Sequence, residues 1–184
     1  DLADRSSLGK QLGQRFVFSV EVNPATGLST EKPIQAARML TASGADFINI
    51  ADGPRATVRM SNLALGLEMQ RELDIEVLLH VCCRDRNLLG LQSFMLGSHV
   101  LGVRNVVVIT GDPPKVGDYP DATGVYDVDS IGLLNIIDGY NRGVDPAGKP
   151  MAERTSFVMA TGAEPAAMDF EREMLRLGQK VQAG

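Results

Sequence analysis

The sequence predicts an α/β fold of the parallel (β/α)8 barrel type, with about the first five βα units present in this chain. Five short runs rich in Val, Ile and Phe are almost continuously apolar, as strands covered on both faces are. A stretch with helical periodicity follows each run. The first four runs begin about 30 residues apart, which is the length of one βαβ unit.

Each predicted strand is bounded by Gly, Pro or Asp, as strands typically are. The predicted strands are Arg15–Val22, Asp46–Ala51, Glu76–Cys83, Asn105–Thr110 and Ser156–Ala160. The fifth begins about 50 residues after the fourth, so this unit carries an inserted loop. Residues 1–14 are predicted to be a linker or lead-in, and residues 15–184 to form the five βα units.

The helical stretches place their apolar residues on one side, and Gly follows several of them as a helix stop does. The predicted helices are Thr30–Ser43, Ala56–Leu73, Asn87–Val100, Asp127–Tyr140 and Pro165–Val181. This alternation fits either an open doubly wound sheet or a barrel. The first junction, EVNPATG at Glu21–Gly27, lacks a Gly-rich phosphate fingerprint, which disfavours a dinucleotide-binding doubly wound sheet.

A barrel of eight strands needs about 250 residues, so a chain of 184 residues is about three strands short. The chain also starts without Met and ends within a helical pattern at KVQAG. We therefore expect a piece of a longer protein that lacks strands 6–8 of the barrel.

Composition and charge exclude several classes of protein. The net charge of −5, from 18 Lys and Arg against 23 Asp and Glu, argues against binding to duplex nucleic acid. No apolar run reaches the ~18 residues of a membrane helix, and the N-terminus DLADRSSLGK has no apolar signal core. Cys82 and Cys83 are adjacent and do not make a disulfide framework. The sequence thus predicts a soluble, cytoplasmic protein without a nucleic-acid or membrane partner.

Polar residues collect at the carboxyl ends of the predicted strands, where barrel enzymes carry their active sites. Alternation along the strands predicts that one face brings Glu21, Asn49, His80, Thr110 and Asp112 into one pocket. Plainer interpretations stay open. Glu21 is also consistent with a solvated carboxylate or a helix-cap partner, His80 with a structural histidine, and Asp112 with a turn residue.

Two further features stay open on the residues alone. Cys82 and Cys83 suggest a metal or redox site, but adjacent strand residues point to opposite faces, so we predict buried apolar cysteines and no metal. The loop Gly111–Tyr126 is longer than the 2–6 residues usual for a βα connection. It is either a functional loop or an unstructured insertion.

Four segments together resemble one protein family. They are SVEVNP at Ser19–Pro24, INIADGPRATVRMS at Ile48–Ser61, LLHVCCRDRNLLGLQS at Leu78–Ser93 and VVVITGDPPKVGDYPDATGVYDVDSIGLL at Val106–Leu134. The family is methylenetetrahydrofolate reductase, and the resemblance is to the bacterial form fused behind a homocysteine S-methyltransferase domain. It implies a (β/α)8 barrel that binds FAD at the carboxyl ends of its strands. It also implies reduction of 5,10-methylenetetrahydrofolate to 5-methyltetrahydrofolate, with hydride passing from NAD(P)H through the flavin in a ping-pong route.

The resemblance assigns roles to individual residues. It makes Glu21 the general acid that protonates the folate so that the methylene bridge opens, a task that near pH 7 requires a carboxyl group shielded by burial. It places Asp112 beside the flavin and the folate, where a negative charge tunes the flavin potential and helps to steer the folate. The FAD-binding positions that it implies are Asn49, Ala51, His80, Thr110, Gly111, Asp112, Tyr126, Asp127, Ala160 and Lys180.

Several positions depart from the family pattern. Ala51 stands where relatives often carry a Thr that touches the flavin, Ala160 where they carry a Tyr, and Glu164 where they carry a His. Arg176 and Gln179 replace an Asn and an Arg of the last helix. Contacts to the adenylate half of FAD are therefore expected to differ from the family pattern.

Three functional hypotheses follow. The first is a flavin-dependent reductase that acts on 5,10-methylenetetrahydrofolate, with NADH or NADPH as the co-substrate and with a homo-oligomer left open. The second is a non-catalytic fragment of a barrel whose open sheet edges need a partner. The third is a different barrel enzyme that uses Glu21 and Asp112 as an acid–base pair without flavin.

Overall fold

The fold is built on five parallel strands. In the computed structural model, which describes residues 1–184, they are β1 (Ser19–Val22), β2 (Phe47–Ile50), β3 (Val77–Cys82), β4 (Asn105–Ile109) and β5 (Val158–Thr161). They form one sheet in the order β1-β2-β3-β4-β5, so each strand pairs with its successor in the chain. A doubly wound sheet reverses its order near the middle. The sequential order confirms the predicted parallel α/β fold of the barrel type with five βα units.

Six α-helices accompany the sheet. They are α1 (Ser7–Gln11), α2 (Glu31–Ala42), α3 (Asn62–Leu73), α4 (Leu88–Val100), α5 (Ser130–Arg142) and α6 (Phe170–Gln182). Three single turns of 3₁₀-helix cover Leu2–Asp4, Pro54–Ala56 and Pro114–Val116. None of the helices has the length and apolar character that crossing a membrane requires.

Two predicted helices start five or six residues too early in the sequence. The helix predicted from Ala56 begins at Asn62, because Arg55 and Ala56 have φ values of 55° and 53° that a right-handed helix does not contain. The helix predicted from Pro165 begins at Phe170, where Asp169 caps the first turn through the N–H of Arg172. In both cases the preceding segment is a loop at the carboxyl end of a strand.

The larger core lies between the sheet and helices α2 to α5. The buried sheet side chains of this outer face include Ile48, Ile50, Leu79, Val81 and Val108. The helices contribute their buried faces to the same cluster, with Ile34 and Ala37 from α2, Leu65 and Met69 from α3, Leu91 and Met95 from α4, and Leu134 and Ile137 from α5. The helices therefore cover one face of the sheet and leave the other face free for a site.

The N-terminal segment covers the lower end of the inner face. Leu8 of α1 packs with Phe47, Leu78 and Val158 in a second buried cluster. The N–H of Ser7 donates to the Glu76 carboxylate at 2.9 Å. Residues 2–11 thus form a plug of two short helices that closes the amino-terminal end of the sheet, where the sequence predicts a linker or lead-in.

The strand register decides which side chains share the inner face. Glu21 pairs with Asn49, and His80 pairs with Val107. Cys82 pairs with Ile109, so Thr110 falls on the outer face with Val108. The prediction that Thr110 shares a face with Glu21, Asn49 and His80 is therefore wrong.

Candidate strand-end site

Three polar side chains of the inner face form a hydrogen-bonded row. Nε2 of His80 lies 3.0 Å from Oδ1 of Asn49, and Nδ2 of Asn49 donates to Oγ of Ser19 at 2.8 Å. Because the amide oxygen accepts, the imidazole carries its proton on Nε2 and leaves Nδ1 as an acceptor. The row joins β1, β2 and β3 at one level of the sheet.

The charge of His80 is set by its surroundings. Burial lowers the pKa of this imidazole, and the carboxylates of Glu21 and Asp52 oppose that effect only in part. The ring is therefore neutral at pH 7. A neutral imidazole and an amide together offer uncharged donors and acceptors to a ligand on this face.

Glu21 lies beside the row on β1, in register with Asn49, and is exposed. Its carboxylate makes no hydrogen bond or ion pair with another residue. The side chain stands on the open inner face of the sheet. The sheet has two free edges, so it forms no second wall opposite Glu21. Burial of this carboxyl group, which the general-acid role requires, has to come from whatever covers the inner face.

Arg84 links the loops that follow three neighbouring strands. Its side chain is only 5% exposed and forms a two-pronged ion pair with Asp85, with Nε–Oδ1 and Nη2–Oδ2 distances of 2.7 and 2.8 Å. Nη2 also donates to the carbonyl of Gly53, and Nη1 to the carbonyl of Asp112, each at 3.2 Å. The guanidinium thus connects the loops after β2, β3 and β4.

Gly111 and Asp112 follow β4 in a tightly packed turn. Gly111 has a φ of 93°, and a Cβ at this position would overlap Sγ of Cys82. The carboxylate of Asp112 is exposed and accepts the N–H of Arg55 through Oδ2 at 3.1 Å. The hydroxyl of Tyr126 donates to the carbonyl of Asp112 at 3.0 Å.

The loop after β4 is ordered against the loop after β2. Besides the Asp112 contact, Oδ2 of Asp118 accepts the N–H of Val58 at 3.0 Å. Gly117 lies so close to Ala56 that a side chain there would overlap the Ala56 carbonyl. A cavity of about 380 Å³ lies between these loops and the Arg84 region. The long loop is therefore a folded wall of the strand-end region rather than an unstructured insertion.

The remaining predicted positions lie in different surroundings. Thr110 Oγ1 accepts the N–H of Ser130 at the start of α5, and Oδ2 of Asp127 accepts the N–H of Leu88 at the start of α4. Ala51 is only 3% exposed, so its methyl group is not open to a ligand. Ala160 is half-buried on the inner face of β5.

Lys180 lies in the last turn of α6, and its side chain reaches the loop after β5. Its Nζ donates to the carbonyl of Gly162 at 2.5 Å and lies 3.8 Å from the Glu173 carboxylate. The residue is 9% exposed, so its charge is held at the loop after β5.

The cysteines are buried thiols. Burial raises the pKa of Cys82 to about 11 and that of Cys83 to about 12, so both stay protonated at neutral pH. Cys82 lies on the inner face and Cys83 packs in the outer core. The chain contains no cluster of three or more His, Cys, Asp or Glu side chains suited to a metal ion.

Sequence reasoning missed Arg84, Asp52 and Ser19. Asp52 accepts the N–H of Cys82 at 3.0 Å and pairs with Arg86 at 2.9 Å, so it fixes the end of β3. A signal was present, because the run CRDRN directly after a buried strand places charges where a strand meets its loop. The pairing partners were not visible, since they lie on other loops.

The sequential sheet, the helices on its outer face and the polar row at the strand ends define a barrel-type α/β protein with a candidate site at its strand ends. The chain belongs to the methylenetetrahydrofolate reductase family, whose model, described as "Methylenetetrahydrofolate reductase", matches residues 8–184. A protein of Oryza sativa subsp. japonica described as "Probable methylenetetrahydrofolate reductase (NADH)" is 25% identical over 174 residues, which is 92% of this chain. The match spans 29% of that relative's length. The family resemblance read from the sequence is thereby confirmed.

Proposed function

We propose that this chain supplies the flavin- and folate-binding strand ends of an enzyme that reduces 5,10-methylenetetrahydrofolate to 5-methyltetrahydrofolate with NAD(P)H. The observation that carries the proposal is that Glu21 lies in register beside the hydrogen-bonded His80–Asn49 pair on the inner face of a family member. The fusion to a homocysteine S-methyltransferase domain and a homo-oligomer remain predictions.

The residues of the inner face fit FAD. A flavin ring is flat, uncharged when oxidised, and edged with hydrogen-bonding atoms. The neutral His80–Asn49 pair offers matching groups, and the small residues Gly111 and Ala160 leave room along the strand ends. When bound, FAD supplies a carrier that takes hydride from NAD(P)H and passes it to the folate.

Glu21 has the position for a proton donor. Its carboxyl group lies next to the His80–Asn49 pair in register and reaches into the open inner face. We assign it to hold a proton at a carboxyl oxygen and to donate that proton to a folate nitrogen, so that the methylene bridge opens to an iminium. Flavin and folate would together cover the carboxyl group and exclude water from it.

Asp112 is assigned to substrate binding. One carboxylate oxygen is held by the Arg55 amide, and Oδ1 makes no hydrogen bond with the protein. A fixed negative charge at this edge would orient the folate by its hydrogen-bonding groups. The same charge would disfavour the anionic reduced form of a nearby flavin.

The test is the visible spectrum of the purified full-length protein. We expect the two absorbance bands of bound oxidised flavin, retained through gel filtration. His80→Ala should weaken flavin retention about tenfold, because it removes a neutral hydrogen-bonding group from the inner face. The matched control is His99→Ala, since His99 is the other histidine and contacts Ser156 rather than the inner face. A wild-type protein that binds no flavin but remains folded would contradict the proposal and favour the non-catalytic or flavin-free alternatives.

A further inference from the structure

Asp112 depends on its neighbours for its orientation. The next two residues are Pro113 and Pro114. They carry no backbone N–H and therefore cannot donate hydrogen bonds that would fix the turn. The carbonyl of Asp112 instead accepts two donors, Nη1 of Arg84 at 3.2 Å and the hydroxyl of Tyr126 at 3.0 Å. Both lone pairs of this carbonyl are thus engaged, which restricts the movement of the Asp112 backbone that carries the carboxylate.

Arg84 is suited to hold this carbonyl in place. Its side chain is buried, and the ion pair with Asp85 fixes the plane of the guanidinium. A Cβ on Gly53, whose φ is 55°, would lie 2.7 Å from Nη2, so the loop after β2 approaches Arg84 where no side chain intervenes. The carbonyl of Arg84 accepts the N–H of Val125 at 2.8 Å, which secures the far end of the long loop.

The contact on the other side of Asp112 completes the arrangement. Oδ2 accepts the N–H of Arg55, a residue in the left-handed region with a φ of 55°. A non-glycine residue stays in this region only when its surroundings hold it there. The loop after β2 and the Asp112 carboxylate therefore support each other, and Arg84 touches both loops.

We propose that Arg84 is a positioning residue that orients the Asp112 carboxylate for folate by bridging the loops after β2, β3 and β4. The inference rests on the proposed function of Asp112. Lysine keeps the charge but has no planar fork, so it cannot hold Asp85, Gly53 and Asp112 at once. Arg84→Lys should therefore release Asp112 without removing a positive charge.

The experiment uses the full-length protein with Arg84→Lys, Asp112→Asn and the double variant. The first readout is amide exchange at Arg55, whose N–H is protected by Asp112. We expect Arg84→Lys and Asp112→Asn each to raise that exchange about tenfold. Arg142→Lys is the matched control, because Arg142 makes an exposed ion pair with Asp138 on α5, and it should leave the exchange unchanged.

The second readout is kinetic. Arg84→Lys should raise KM for 5,10-methylenetetrahydrofolate about tenfold and change flavin reduction by NAD(P)H by less than about twofold. In the Asp112→Asn background it should add nothing. Unchanged Arg55 exchange, or effects of the two substitutions that multiply, would overturn the proposal.

Two safeguards keep the outcomes distinct. If wild-type protein shows no folate-dependent reaction, the proposed function fails, while Arg55 exchange still decides whether Arg84 orients Asp112. If Arg84→Lys does not fold, Tyr126→Phe removes only the hydroxyl donor on the same carbonyl. It should raise Arg55 exchange about threefold, and no change would overturn the proposal.

Discussion

At the residue scale, the most specific consequence concerns the proton on Glu21. Glu21→Gln keeps the shape of the side chain but cannot donate a carboxylic proton. We expect flavin reduction by NAD(P)H to stay within about twofold of wild type, and folate-dependent reoxidation to fall about 100-fold or more. Stopped-flow absorbance of the two half-reactions measures both. Equal loss in both half-reactions would show that Glu21 is not the proton donor.

The lowered pKa of His80 has a consequence for stability. The unfolded chain binds a proton on this imidazole below its ordinary pKa of 6.5, whereas the folded chain stays neutral until the pH is lower. The stabilisation is therefore present above about pH 6.5 and is lost as the pH falls through the folded pKa, by at most about 1.4 kcal/mol per pH unit. Burial lowers the pKa of His99 in the same direction.

We expect the free energy of unfolding to fall as the pH drops below about 6.5, with a shallower slope in His80→Gln. Urea titrations at a series of pH values measure the slope. An NMR titration of the two imidazoles assigns each pKa, with His99→Gln identifying the signals. A His80 pKa at or above the ordinary value would contradict the argument.

At the element scale, the turn after β4 tolerates no side chain at Gly111. Ala at this position would adopt a φ of 93° and press its Cβ into Sγ of Cys82. Gly111→Ala should lower the free energy of unfolding by about 2–4 kcal/mol, from backbone strain and overpacking together. Gly162→Ala is the control, since nothing lies within 4 Å of a Cβ there. Similar denaturant midpoints for the two variants would refute the packing argument.

The N-terminal plug is an element whose packing energy can be tested directly. Leu8 is 5% exposed and fills the inner face beside Phe47 and Leu78. Leu8→Ala should cost about 2–4 kcal/mol of unfolding free energy. Leu28→Ala, at a side chain 98% exposed, should cost less than about 0.5 kcal/mol. Equal effects in chemical denaturation would mean that the plug does not stabilise the sheet.

The sequence predicts the strands and helices better than it predicts which side chains of neighbouring strands share a face of the sheet. Continuous apolar runs identify all five strands, because a buried strand needs that composition whatever its neighbours are. Alternation along β3 correctly places His80 and Cys82 on the same face. It does not show which side chains of β4 lie on that face. That choice depends on the register between strands, so alternation alone places Thr110 on the wrong face.

The loops show the same limit more strongly. Arg84 joins Gly53 and Asp112 across 31 and 28 residues of chain, and no periodic pattern connects such positions. The sequence also does not predict the plug on the inner face. Its one buried leucine lies in a short helix whose polar composition is typical of a lead-in segment. Residues that bond to distant loops can be recognised only in the folded structure, where the strands bring those loops together.

At the scale of the whole molecule, the sheet leaves β1 and β5 as free edges and the inner face open above the plug. Glu21 and the His80–Asn49 pair stand on that open face, while the helices already cover the other one. The site is thus open on the inner face of the sheet, and its proposed chemistry depends on the ligands and structure that cover this face.

The most direct test of the proposed function is an anaerobic two-step titration of the full-length protein. NAD(P)H should first bleach the flavin absorbance in the absence of folate. Addition of 5,10-methylenetetrahydrofolate should then restore it in equal amount, with 5-methyltetrahydrofolate as the product. A flavin that is reduced by the nicotinamide but is not reoxidised by the folate would contradict the assignment of this strand-end site.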